Sequence, residues 1–365
     1  NVYKKTGQPA TALEMYELTI EMRDSLNSIE NKEAAIKLEY QHQYEKERVI
    51  AEAKHQEQMS LSAEREKRQQ LIAYSAGGGL VMVLLFAFFI LNRLRVTRRQ
   101  KKVIEEQKKV VEEQKKDITD SIKYAENIQQ ALLPTIENLK EALPDGFVLF
   151  QPKDIVSGDF YWMQRHNGKV YFAACDCTGH GVPGAFMSMI GSSLLDEAVL
   201  EKGITKPNKI FFEVRKGFIN ALKQNEEDGT QKDGMDAALI AWDKKNTLQV
   251  AAALNPVLII RDGEIHEFKP DRHPVGYLTG KQEAFTHHEL KLEKGDTVYI
   301  FSDGYPDQFG GPKDKKFMMR NFKKLLLSIQ DKTMKDQKTI LETTMAEWKG
   351  DAEQIDDILV MGVRF

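Results

Sequence analysis

Cysteine is nearly missing from this chain: 365 residues contain two, Cys175 and Cys177. That count excludes a disulfide scaffold, and a lone pair with no His/Cys cluster around it does not make a zinc site. Alternate residues of a strand share a face, so the two thiols read as small buried apolar side chains. An excess of one charge is missing as well. Lys and Arg number 52 against 55 Asp and Glu, a formal net charge of −3, and no global basic field points to nucleic acid. The chain starts Asn1-Val2-Tyr3, with no initiator Met and no signal-peptide pattern, so it reads as part of a longer protein. Glu30 to Gln70 contains no Gly and no Pro and is dense in Glu, Lys, Gln and Ala, the composition of one long solvated helix.

The one long charge-free stretch is Leu71–Leu91, LIAYSAGGGLVMVLLFAFFIL. As a helix rising ~1.5 Å per residue it spans about 31 Å, the thickness of a bilayer core, so it is expected to cross a membrane. Arg93, Arg95, Arg98, Arg99, Lys101 and Lys102 follow directly and place everything after them in the cytoplasm, which makes a bacterial inner membrane protein with one span. The Gly77-Gly78-Gly79 run lacks the Lys-Ser/Thr of a phosphate loop. Upstream, Gly7, Ala12 and Tyr16 have the spacing of half a tetratricopeptide repeat, a unit that stacks on sister repeats, and a protein partner is expected there. Downstream, Ile104, Val111, Ile118, Ala125 and Leu132 recur every seven residues, with Gln107, Gln114, Ser121 and Ile128 on the companion seam. This is a coiled coil with a partly polar seam, expected to form a homodimer, and Pro134 ends it.

Beyond Leu143 the composition becomes that of a globular domain. Strands are expected at Phe147–Gln151, Val170–Cys177, Ala237–Trp242, Leu248–Ile260, Thr297–Ser302 and Ile358–Arg364. Asn167-Gly168 and Asp262-Gly263 are hairpin turns. Helices are expected at Gly184–Lys202, Asn208–Gln224, Lys316–Ile329 and Thr333–Trp348, which makes an α+β domain with antiparallel sheets. Four acidic motifs lie at strand ends or in adjoining turns: Ser157-Gly158-Asp159, Asp176-Cys177-Thr178-Gly179-His180-Gly181, Ser302-Asp303-Gly304 and Asp356-Asp357. An Asp beside an apolar strand is costly to bury unless it is paired or bound to a metal. All-oxygen donors select hard cations, so Mn²⁺ or Mg²⁺ is expected rather than zinc. Such a pair of ions suits direct hydrolysis of a phosphate ester.

At these motifs the sequence resembles the PPM family of metal-dependent protein phosphatases, in its bacterial branch named after the stage II sporulation phosphatase. The matching segments are DSIKYAENIQQALLP (120–134), QPKDIVSGDFYW (151–162), ACDCTGHGVPGAFMSMIG (174–191), GMDAALIAWD (234–243), FSDGYPDQFGG (301–311) and the terminal DDILVMGVRF. The resemblance implies a four-layer αββα sandwich of two antiparallel sheets with a site for two Mn²⁺ or Mg²⁺ ions at the sheet edge. It implies Asp176 between both ions, the backbone carbonyl of Cys177 and Asp159 on one side, and Asp303 and Asp356 on the other. It implies a phosphoprotein substrate bearing phosphoserine or phosphothreonine, with anti-sigma-factor antagonists as the first to try. The eukaryotic branch has a general-acid His where this chain has Thr178, so His180 is the candidate proton donor. A third-ion Asp of many relatives falls near Asn255, and Asp307 is the candidate third-ion ligand. The alternative is a degenerate docking module that relays signals without hydrolysis. The expected organisation is a repeat segment (1–29), a charged helix (30–70), the span (71–91), the coiled-coil linker (92–133) and the phosphatase domain (142–365).

Overall fold

A computed structural model describes residues 9–224, 232–278 and 283–365. The chain divides into two compact units, Asn1–Lys108 and Lys109–Phe365. The described part of the first is a single helix, the start of α1, which runs from Pro9 to Leu132. No proline intervenes between Pro9 and Pro134, so nothing removes a backbone donor along the way. The charged, apolar and heptad segments are therefore turns of one element. Ala12 and Tyr16 lie on α1, and Gly7 lies outside the described residues. The most apolar 18-residue window of this helix has a mean hydropathy of 2.1 with none of it buried, long and apolar enough to cross a membrane by length and composition.

The second unit begins with the last turns of α1 and is built on two antiparallel sheets. The first orders β1 (Asp145–Gln151), β13 (Ile358–Arg364), β10 (Thr297–Phe301), β6 (Val257–Arg261) and β7 (Glu264–Phe268). The second orders β2 (Asp159–His166), β3 (Lys169–Cys177), β4 (Gly234–Trp242), β5 (Thr247–Ala253) and β9 (His288–Lys291), with β8 (Val275–Gly276) also on β4. Between the sheets, Phe172, Ala174, Ile240 and Val250 meet Val298, Ile300, Leu359 and Met361. The opposite face of the second sheet carries Phe160, Tyr171, Cys175 and Cys177, buried with Phe211 and Phe218 of α4 (Pro207–Ala221) and Met187 of α3 (Gly181–Asp196). The opposite face of the first sheet buries Leu149 and Tyr299 against Phe322 of α6 (Met319–Ser328) and Leu341 of α7 (Met334–Lys349). Both faces of each sheet are thus covered, which gives the four αββα layers. Short α2 (Ile136–Ala142) packs Leu139 and Ala142 into the central layer.

Both hairpin turns form as expected. Asn167 and Gly168 (φ 51° and 77°) join β2 to β3, and Asp262 and Gly263 (φ 50° and 78°) join β6 to β7, the twist that two-residue hairpins favour. The apolar run Leu248–Ile260 is not one strand but two, β5 and β6, which lie in different sheets. Leu254 takes a left-handed φ of 58° and Pro256 cannot donate to a ladder, so the chain crosses over at 254–256. The helix expected from Gly184 starts at Gly181, and its last turn, Glu197–Glu201, is π-helical. Lys316 belongs to a two-residue strand rather than to the helix expected there, which starts at Met319.

Candidate active site at the sheet edge

Backbone register gathers the acids. Asp159 pairs with Asp176 across β2 and β3, and Asp176 pairs with Asp236 across β3 and β4. Side chains alternate along a strand. Asp159 keeps step with Tyr161 and Met163, Asp176 with Phe172 and Ala174, and Asp236 with Ala238 and Ile240, all on the inter-sheet side. One row of three carboxylates therefore crosses three strands. The other sheet supplies the rest. β10 runs out into Ser302-Asp303 and β13 starts just after Asp356-Asp357, and Ser302 N donates to Leu359 O at 3.0 Å. Asp303 immediately precedes α5 (Gly304–Asp307).

The turn that presents Asp159 is held by a buried neighbour. Asp357 accepts from Lys153 N at 2.7 Å and from Gly158 N at 2.8 Å. This adjacent acid was missed as a separate function because Asp-Asp reads as one motif. Glycine is required where this turn meets the next. A Cβ on Gly158 would lie 2.3 Å from Gly179 O, and one on Gly184 would lie 2.3 Å from the same oxygen. The start of α3 thus rests directly on the backbone of both acid-bearing loops.

The charges crowd one another. Burial, followed by the charge of Asp176, raises the Asp159 carboxyl well above its ordinary value, against the pull of a hydrogen bond from Ser302. Burial and then the charges of Asp303, Asp356 and Asp236 push Asp176 up to about 8. Burial and Asp303 push Asp236 up to about 6. Partial burial, then the charges of Asp356 and Asp307, raises Asp303, with Lys316 pulling the other way. Asp159 is 2% exposed, and its Oδ2 has no hydrogen-bond partner. An orphaned buried carboxylate oxygen amid like charges is the environment a hard divalent cation relieves. The donor set therefore fits Mn²⁺ or Mg²⁺, although among the described residues the side chains do not close into a ready-made cage. The thiols take no part: burial raises both Cys175 and Cys177 far above the usual thiol range.

The remaining sequence candidates separate. The Cys177 backbone lies against the Asp159 turn, its N donating to Gly158 O at 3.3 Å. Thr178 is engaged by β4: its N donates to Gly234 O at 3.0 Å and its Oγ1 accepts from Gly234 N at 3.2 Å. His180 sits in the loop before α3, its Nδ1 3.1 Å from Asp154 Oδ2 and its Nε2 3.5 Å from Lys153 Nζ. Asp307 Oδ2 is bonded to Lys316 Nζ at 2.7 Å. Asn255 lies in the sheet-to-sheet crossover with a buried, unpartnered Nδ2. Asp236 was legible as part of GMDAALIAWD but not as a member of the acid row, because that depends on its register with Asp176.

The end of α1 reaches this site. Thr119, Ile122, Ala125, Glu126 and Gln129 are the shielded residues of its last turns, three or four apart and hence on one face. Gln129 is buried; its Nε2 donates to Ser157 O at 2.6 Å and to Ser188 Oγ at 2.7 Å, and its Oε1 accepts from Ser157 N at 3.1 Å. One amide thus ties the linker helix to the Asp159 turn and to α3.

Comparison with known proteins agrees with the fold. The family model described as stage II sporulation protein E (SpoIIE) matches residues 166–365. The structure of the SiaA-PP2C domain of Pseudomonas aeruginosa is 32% identical, covering 69% of this chain and 98% of that one with a TM-score of 0.62. The phosphoserine phosphatase RsbU of Bacillus subtilis (strain 168) is 27% identical over 191 residues, 52% of this chain. The chain spans about half the length of that curated relative, 54% of it.

Proposed function

The chain belongs to the stage II sporulation protein E (SpoIIE) family of metal-dependent protein phosphatases, and from that premise we propose that it hydrolyses phosphoserine or phosphothreonine on a protein substrate. RsbU is described as a phosphoserine phosphatase, which supports the choice of ester. The observation that carries the reading is the acid row with the orphaned Asp159 Oδ2. Asp159, Asp176, Asp303 and Asp356 would hold two Mn²⁺ or Mg²⁺ ions together with the Cys177 carbonyl, and Asp236 adds charge to the row. Bound divalent cations supply Lewis acidity for in-line attack of water on the phosphoryl group. The chain's own residues then do three things. Asp357 keeps the Asp159 turn in place. His180 is the proton donor to the leaving serine or threonine oxygen, oriented through Nδ1 by Asp154. The Gly158–Gly179–Gly184 contact excludes side chains from the space between the two loops.

The remaining assignments follow from the helix. Leu71–Leu91 spans a bacterial inner membrane once, with the phosphatase domain in the cytoplasm. The heptads of residues 92–133 form a homodimer, and a partner of the N-terminal segment biases the helix and, through Gln129, the Asp159 turn. An anti-sigma-factor antagonist is the substrate to try first.

The decisive assay incubates the full chain with a phosphoserine protein, with Mn²⁺ or with chelator. Hydrolysis that needs Mn²⁺ and vanishes in Asp176→Asn is the expected result. Full activity in that variant would sink the metal-site assignment. No turnover together with no Mn²⁺ or Mg²⁺ binding by calorimetry would point to a docking module. Equilibrium sedimentation in detergent tests the dimer, and a monomer counts against the coiled coil.

A further inference from the structure

Beside the acid row lies a cation that the reading above leaves unused. Lys316 sits in β12 (Lys315–Lys316), which pairs with β11 (Phe309–Gly310) in a small hairpin just after α5. Its Nζ is 2.7 Å from Asp307 Oδ2. Asp307 ends the four-residue α5 that follows Asp303, and Asp307 N donates to Asp303 O at 2.9 Å. The ammonium is therefore one helical turn from an acid of the site, and its charge acts on Asp303.

The hairpin is rigidly placed. Buried Gln308 donates from Nε2 to Glu353 O at 2.9 Å and accepts at Oε1 from Ile355 N at 3.2 Å. Its carbonyl accepts from Phe317 N at 2.9 Å and from Trp348 Nε1 at 3.1 Å. Gly310 and Gly311 lie so close to Trp348 that a Cβ on either would collide with it. Gln308 thereby joins the segment that follows Asp303 to the one that precedes Asp356, and Lys316 keeps a set position relative to both. Stability does not account for this lysine. The pair is partly open, with Lys316 41% and Asp307 37% exposed, and exposed ion pairs contribute little. Hydrolysis of a phosphomonoester offers a reason: a dianion must approach a row of acids, and a fixed ammonium beside them offsets the repulsion and binds a phosphoryl oxygen as a point charge.

We propose that Lys316 binds the phosphoryl group of the substrate and of the phosphate product, with Asp307 as the positioning residue that holds its ammonium in place. The inference rests on the phosphatase reading, so its test also includes a measurement that needs no turnover. Binding of inorganic phosphate to the Mn²⁺-loaded full chain is measured by calorimetry, alongside kcat and KM on a phosphoserine peptide. Lys316→Met is expected to weaken phosphate binding and raise KM at least tenfold with kcat within about threefold, while Lys316→Arg keeps both within about threefold. Asp307→Asn, which frees the lysine without removing it, gives a smaller loss of phosphate affinity. Unchanged phosphate affinity in Lys316→Met overturns the proposal. So does an additional bound Mn²⁺ in that variant with phosphate affinity intact, which would give Asp307 to an ion instead. A wild-type chain that binds phosphate through Lys316 but hydrolyses nothing would refute the phosphatase reading alone.

Discussion

Replacing Gln129 by Met keeps the length and helix preference of the side chain and removes every polar contact between α1 and the Asp159 turn. Two hydrogen bonds given by Nε2 and one accepted by Oε1 are lost. Ser157 O retains the Ser188 hydroxyl at 3.3 Å, so that carbonyl stays partnered. Ser157 N loses its acceptor at a residue that is 0% exposed. A buried orphan donor costs about 1–3 kcal/mol and each lost neutral bond about 0.5–1.5 kcal/mol. With partial relaxation the docked state weakens by about 2–4 kcal/mol, which is about 30-fold or more in the opening equilibrium at 1.4 kcal/mol per tenfold. Hydrogen exchange of the full chain reads this locally. Peptides covering 153–163 and 119–132 should both exchange at least about 30-fold faster, and half-maximal activation should need more Mn²⁺. Exchange within about threefold of wild type in both peptides would refute the idea that this amide couples the helix to the turn.

Further outcomes follow from the crowded acids. Asp236→Asn should raise the thermal midpoint of the cation-free chain and lower the gain on adding Mn²⁺, because it removes a charge that repels its neighbours until a cation arrives; an unchanged Mn²⁺ gain would exclude Asp236 from the site. The pH dependence has a definite sign. Asp176 and Asp236 are raised from 3.8 to about 8 and about 6, so the folded, cation-free protein holds protons that the unfolded chain releases. Their stabilisation is complete below about pH 4 and is lost as pH rises through about 6 and then about 8. Mn²⁺ replaces those protons, so its thermal gain should grow from pH 6 to pH 8, and a flat profile would contradict the acid-row electrostatics. Gly184→Ala should cost several kcal/mol or abolish folding of the loop pair, since its Cβ would sit 2.3 Å from Gly179 O; a chemical denaturation curve matching wild type would show that the loops part readily. Asp357→Asn keeps one acceptor oxygen for the Lys153 and Gly158 N–H groups that it holds and should weaken Mn²⁺ binding about tenfold with the fold intact, by calorimetry and circular dichroism.

Much of the domain was legible because its signals are local. Asn167-Gly168 and Asp262-Gly263 specify hairpins through left-handed backbone angles that these residues tolerate. Pro134 stops the long helix, and alternation in Lys169–Cys177 assigns Cys175 and Cys177 to one face and Asp176 to the other. The run Leu248–Ile260 misled because both of its halves are buried on two faces, so no alternation marks the point where the chain changes sheets. Leu254 in a left-handed conformation has no sequence signature. Gln129, Asp154 and Lys316 were invisible as site residues for a different reason. A Gln in a helix, an Asp in a loop and a Lys in a basic run are ordinary solvated residues until their partners, Ser157, His180 and Asp307, are brought to them from 9 to 28 positions away.

The chain by itself determined that hard-cation chemistry was available, since Asp159, Asp176, Asp303 and Asp356 are oxygen donors at strand ends with no His/Cys cluster to compete. It also determined the helical character of residues 30–133 and their apolar stretch, which depend on composition and on the absence of proline, while their union in one helix emerged in the structure. Tertiary structure alone decided which acids share a site. The register of β2, β3 and β4 adds Asp236 to the row, and the pairing of β10 with β13 brings Asp303 beside Asp356. It also decided that Thr178 is tied to Gly234, that His180 is bracketed by Asp154 and Lys153, and that Asp307 carries Lys316. The physical reason is that charge and hydrogen bonding act over a few ångströms of space, and strand register, rather than distance along the chain, sets which groups are that close.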